Sequence, residues 1–122
     1  MILVDTSIWV DHLRRSDARL VRALNNAQVL THPFVIGELA CGNLKQRATV
    51  LALLRDLPRS SHASEDEVLF FIDQHELMGR GIGYVDAHLL AATTLSGPAG
   101  LWTRDRRLGA IAEQLGLAHV PG

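Results

Sequence analysis

The first nine residues, MILVDTSIW, constrain the fold more than any other stretch of the chain. Residues 2–5, ILVD, form an apolar run without alternation and too short for a helix, which is how a strand reads when both of its faces are covered. From Ser7 the period changes, and Ile8, Trp9, His12 and Leu13 fall on one helical face. A strand covered on both sides needs helices on each face, so the rest of the chain has to supply more strands and the helices that cross between them.

It does so in order. A helix from Asp17 to Ala27 gathers Leu20, Val21 and Leu24, with Asp17 as its N-cap, and QVLTH (28–32) reads as a second strand. Pro33 opens a helix carrying FVIGELACGNL, because its missing N–H costs nothing in a first turn. A helix over 46–56 stops before Pro58, and RSSHA (59–63) is a weak third strand or a loop. Ser64 and Glu67 make a capping box for a helix over 65–78. GRGIG (79–83) ends that helix, and YVDAHLLAATTL forms the next. GLWT (100–103), a helix from Asp105 to about Leu115 and a last strand, LAHV, complete the alternation of a parallel sheet with helices on both faces.

A length of 122 residues fits one domain, 1–122, and 48% apolar with 20% charged residues is a globular composition. The net charge of -1 offers no overall attraction to nucleic acid, so any such binding has to come from a local basic patch. One cysteine, Cys41, excludes an intrachain disulfide and a thiolate metal cage, and reads as a small buried residue. With no basic leader and no apolar run near the roughly 18 residues of a membrane span, a soluble cytoplasmic protein is expected.

Ligands of an open parallel sheet bind beyond the carboxyl ends of its strands. Asp5 ends the first strand and Asp105 follows the strand LWT by one residue, so both can face one crevice. Glu38 lies among Ile36, Leu39, Ala40 and Cys41, where burial of an unpaired carboxylate is costly. Asp86 has apolar neighbours and no base at i+3 or i+4, which are Leu89 and Leu90. Each acid also has a plain reading: Asp5 and Asp105 as helix caps, Asp86 as a first-turn acid. As a set they are harder to dismiss, since two like charges at 4 Å repel by roughly 4 kcal/mol at an effective dielectric of 20. A divalent cation removes that conflict, and hard oxygen donors without Cys or clustered His select Mg²⁺ or Mn²⁺ over Zn²⁺. Such an ion suits phosphodiester hydrolysis, with the hydroxyls of Thr6, Ser7 and Thr103 as support or as caps.

These residues carry a resemblance. VDTSIW, FVIGELACG, GYVDAHLLAAT and LWTRDRRL resemble, in order and separation, the four acidic motifs of PIN-domain ribonucleases, specifically the VapC-type toxins of bacterial toxin-antitoxin pairs. The resemblance spans the chain. It implies a PIN-like three-layer α/β/α fold with a central parallel sheet, and makes Asp5, Glu38, Asp86 and Asp105 the catalytic, metal-binding acids, with Thr6, Ser7 and Thr103 supporting. It further implies an Mg²⁺- or Mn²⁺-dependent endoribonuclease that cuts tRNA or rRNA and inhibits translation, a homodimer, and a VapB-type antitoxin as inhibitor.

Arg14, Arg15, Arg80, Arg104, Arg106 and Arg107 are candidates for RNA phosphate contacts, against the plain reading of solvated helix faces. Trp9 and Trp102 read as core rather than base-stacking residues, and helices one to three carry apolar residues enough to seat an antitoxin segment or a second subunit. GRGIG follows a helix, so it fails as a dinucleotide fingerprint, and of six scattered histidines only His88 lies beside a site acid. Two other classes fit the acids less well. A phospho-receiver-like signalling domain needs paired acids and a late lysine, whereas Lys45 is the only lysine, and a catalytically silent PIN-like binding module has no need of four acids.

Overall fold

In the computed structural model, residues 1–121 are described. The elements run β1 (Ile2–Val4), α1 (Thr6–Arg14), α2 (Ala18–Asn25), β2 (Val29–Leu30), α3 (Pro33–Ala40), α4 (Arg47–Asp56), α5 (Glu65–Gln74), α6 (Tyr84–Leu95), β3 (Gly100–Trp102) and α7 (Arg106–Gln114). The strands are parallel in the order β2-β1-β3, with Ile2 opposite both Val29 and Gly100 and Val4 opposite Trp102. All three residues of β1 are buried, as an unalternating central strand requires. The chain steps from β1 to β2 on one side and later returns to β3 on the other, so strand order reverses at β1. The crevice beyond the ends of β1 and β3 is therefore the switch point, where open α/β sheets take their ligands.

LAHV, expected as a strand, and RSSHA, expected as a weak strand or a loop, each contribute a single rung. Segment 59–63 pairs only through a parallel bridge between Thr31 and Arg59, and LAHV only through Leu101 and Ala118. Pro58 and Pro121 flank these segments, and a sheet edge that stops after one rung offers little to foreign strands.

Helix α6 is buried at every residue from 87 to 93 and packs against β3 and α5, which explains its lack of a polar face. The Ser64–Glu67 capping box is present, with reciprocal bonds of 3.0 and 3.1 Å. The expected helix over 65–78 ends earlier, at Gln74, because Glu76 turns left-handed with φ of 52°. Helix α2 likewise stops at Asn25, ahead of a left-handed Ala27. Trp9 and Trp102 are core residues, each 4% exposed.

Two readings are corrected on α3. Val35, Ile36 and Leu39 form its buried face, while Gly37, Glu38 and Cys41 lie on the opposite side, so Glu38 is exposed rather than buried and Cys41 is a surface thiol.

Candidate active site

Three of the four acids sit at helix N-termini. Asp5 is the N-cap of α1, Asp105 the N-cap of α7, and Asp86 the third residue of α6. Capping and convergence are thus not alternatives here, since the positive helix ends that favour a carboxylate also point into one crevice. Thr6 and Ser7, for which a capping role was also open, lie within the first turn of α1 and direct their hydroxyls to acids.

Asp5 is 7% exposed and its carboxylate takes three donors. The backbone N–H of Thr6 donates to Oδ1 at 2.8 Å, while Ser7 Oγ at 2.9 Å and Thr103 Oγ1 at 2.7 Å donate to Oδ2. Each hydroxyl spends its single proton on Asp5 and accepts in return: Ser7 from the Arg104 N–H at 3.0 Å, Thr103 from the Asp105 N–H at 3.1 Å. The 3.4 Å approach of Ser7 Oγ to Thr103 Oγ1 therefore has no proton left to make it a bond. The ends of β1 and β3 are locked together through one carboxylate.

Glu38 joins from α3, its Oε1 accepting from Thr6 Oγ1 at 2.7 Å. Asp105 spends Oδ1 on the Leu108 N–H at 2.9 Å. Asp86 accepts from the Gly83 N–H at 3.2 Å, and burial pushes its carboxyl above the ordinary range; that N–H opposes the rise, and the negative fields of Asp5, Asp105 and Glu38 add to it. The other three acids thus all bear on Asp86 electrostatically.

The donors are oxygen throughout, a set that fits a hard divalent cation. Among the described residues no three carboxylates or imidazoles already close around one point. What the structure shows is a hydrogen-bonded set, Asp5 with Ser7 and Thr103 and Glu38 with Thr6, with Asp86 and Asp105 at the starts of neighbouring helices; Mg²⁺ keeps several waters and typically needs only one or two carboxylates.

The arginines divide. Arg14, Arg15 and Arg104 line a cavity of about 550 Å³ beside the end of α1, together with Arg19, which the sequence reading missed because nothing in the helical run ARLVRA (18–23) distinguishes it. Arg106 and Arg107 occupy the first turn of α7, where a cation opposes the helix dipole. Arg107 lies against Gly81, at φ of 83°, where an added Cβ would stand 2.6 Å from its Cδ. Arg80 is not brought to the crevice: it donates to Gln114 at the far end of α7, at 2.7 Å.

His88 belongs to a separate cluster. Its ring packs edge-on to Phe34 at 4.7 Å and Tyr84 at 4.6 Å, and lies 6.4 Å from both His32 and His62. His32 caps α3, its Nδ1 accepting from the Phe34 N–H at 3.0 Å, which requires that nitrogen to be unprotonated. Burial first, then the fields of His88 and His62, lower its pKa to about 4.

A groove of about 720 Å³ between α1, α3 and the start of α4 has an apolar floor of Val10, Leu13, Leu39 and Val50 and a polar rim that includes Arg14, Glu38 and Lys45. No helix among the described residues is long and apolar enough to cross a membrane.

Comparison with known proteins agrees with this geometry. The PIN domain family model matches residues 2–114. Ribonuclease VapC32 of Mycobacterium tuberculosis, from two strains, is 51% identical over 118 residues, covering 97% of this chain and 95% of the relative. The parallel sheet order, the family match over residues 2–114 and this near full-length similarity make the chain a member of the PIN-domain family, of the VapC ribonuclease type.

Proposed function

We propose that the protein is a divalent-metal-dependent endoribonuclease, the toxin of a toxin-antitoxin pair, which hydrolyses phosphodiester bonds of tRNA or rRNA and so inhibits translation. What supports this reading is the network at the ends of β1 and β3, in which Thr103 and Ser7 hold Asp5 and Thr6 holds Glu38, beside an Asp86 whose carboxyl burial and the other acids push up, a conflict that a cation relieves. Asp5, Glu38, Asp86 and Asp105 are the residues that would hold Mg²⁺ or Mn²⁺. When bound, such an ion lowers the pKa of a water and neutralises charge on the phosphate.

The chain's own residues supply the rest. Ser7 and Thr103 fix the Asp5 carboxylate, so that its position owes nothing to solvent. Thr6 holds Glu38 toward the crevice. The N-termini of α1, α6 and α7 and the first-turn cations Arg106 and Arg107 favour a phosphate there, and Arg14 and Arg15 extend the positive surface along the RNA strand.

The reading includes a cytoplasmic homodimer and a VapB-type antitoxin, for which the groove of mixed apolar and charged lining that reaches Glu38 offers a seat. Purified protein incubated with bulk tRNA and rRNA tests the activity. Cleavage is expected with Mg²⁺ or Mn²⁺ and lost on chelation, in Asp5→Asn and in Asp86→Asn; a protein that neither cuts RNA nor binds the ion at millimolar concentration is a silent binding module instead.

A further inference from the structure

We infer that Arg104 is a positioning residue and not an RNA contact: its side chain straps the loop bearing Thr103 and Asp105 to α1 and to the start of α2. The kinetic consequence rests on the ribonuclease reading; the structural one does not. Nε of Arg104 lies 2.5 Å from Oδ2 of Asp11 on α1, and Nη2 lies 3.6 Å from Oδ2 of Asp17, the N-cap of α2. The main chain of the same residue donates to Ser7 Oγ at 3.0 Å. One residue thus ties the outgoing end of β3 to three points on the first third of the chain.

The strap continues beyond Arg104. Asp17, 10% exposed at its side chain, also pairs with Arg19 at 3.2 Å, and the Arg19 guanidinium lies 5.7 Å from the ring centre of Trp102, the last residue of β3. The path therefore runs from the loop after β3 through Asp17 and Arg19 and back to the strand that the loop leaves. Within that circuit lie both groups that need fixing: Thr103, which donates to Asp5, and Asp105, whose amide donates to Thr103.

With Asp11 and Asp17 both beside its guanidinium, Arg104 has much of its charge answered by carboxylates of its own chain. Arg14 and Arg15 make no ion pair among the described residues, so phosphate attraction on this side falls to them. Arg104 and Asp11 are 47% and 45% exposed at the side chain, and pairs so exposed add little to global stability. Their value is geometric, because small displacements at a reacting centre cost rate far out of proportion to stability.

The test compares wild type with Asp11→Asn, Arg104→Gln and the double variant by amide hydrogen exchange and by RNA cleavage kinetics. In Asp11→Asn the amides of Arg104 and Asp105 are expected to exchange about tenfold faster while those of β1 do not change. The kcat should fall about tenfold in either single variant with KM within about twofold, and the double should be no worse, as expected of residues acting as a unit. Unchanged exchange in Asp11→Asn overturns the strap whether or not the protein cuts RNA. So does an Arg104→Gln that raises KM and flattens the salt dependence while Asp11→Asn keeps wild-type kcat, because Arg104 is then a phosphate contact. Faster exchange in a protein whose wild type cuts no RNA upholds the strap and overturns the ribonuclease reading alone.

Discussion

A single carboxylate, Asp5, joins the two central strands of the site, and the residues around it have separable roles. Thr103→Val removes the 2.7 Å bond to Asp5 while keeping the side-chain shape. Cleavage is expected to fall about tenfold or more, and stability by about 1 kcal/mol in urea titration. Asp86 predicts the opposite pairing of effects. Because its folded carboxyl titrates above the unfolded value, its stabilising contribution is present at low pH and is lost as pH rises through the folded pKa. Asp86→Asn, which keeps an acceptor for the Gly83 N–H, should therefore raise the Tm of metal-free protein at pH 7 by roughly a few degrees while abolishing cleavage. In the sequence, Glu38 and Asp86 stood out by apolar company and Asp5 and Asp105 by their place at strand ends. The surroundings of Glu38 were not: neighbours in sequence suggested burial, whereas the spacing of Val35, Ile36 and Leu39 turns their face inward and Glu38 outward. Nor was it legible that Asp5 caps a helix and joins the site at once, because the two readings look exclusive until the three helix ends converge.

At the scale of elements, the caps decide where helices begin, and two of them are testable. Ser64→Ala removes one half of the α5 capping box and should cost about 1 kcal/mol, read as a lower urea midpoint with cleavage unchanged. His32 caps α3 only while neutral. Its pKa of about 4 against an unfolded value of 6.5 means that its contribution is complete above pH 6.5 and is lost as pH falls from there toward 4. That amounts to about 3 kcal/mol, and the slope of urea midpoint between pH 7 and 5 should flatten in His32→Asn, which offers a cap that does not titrate. Strong periodic elements such as α6 and β1 were legible from the sequence, since burial on all sides leaves a continuous apolar run. The last edge segment was overread. Apolar residues in LAHV do not show how many rungs a sheet edge completes, and only one forms there, as at RSSHA, where a weak strand or a loop was expected. The early end of α5 was hidden as well, because Glu76 adopts a left-handed backbone without a glycine to announce it.

Across the whole molecule, the topology does most of the functional work: β1 lies between β2 and β3, and the reversal there brings the residues after β1 and β3 together with the starts of α6 and the side of α3. A net charge of -1 leaves RNA attraction to Arg14, Arg15, Arg106 and Arg107, so cleavage at subsaturating RNA should fall steeply between 50 and 200 mM salt, by about tenfold or more. The central claim is that the four acids form one cation-dependent site for RNA cleavage. It is tested most directly by following cleavage of bulk tRNA and rRNA by purified protein during chelation and re-addition of Mn²⁺, beside Asp86→Asn in the same preparation. The account predicts that cleavage stops on chelation, returns with the ion, and is absent from the variant throughout. Cleavage that persists under chelation and in Asp86→Asn would contradict it.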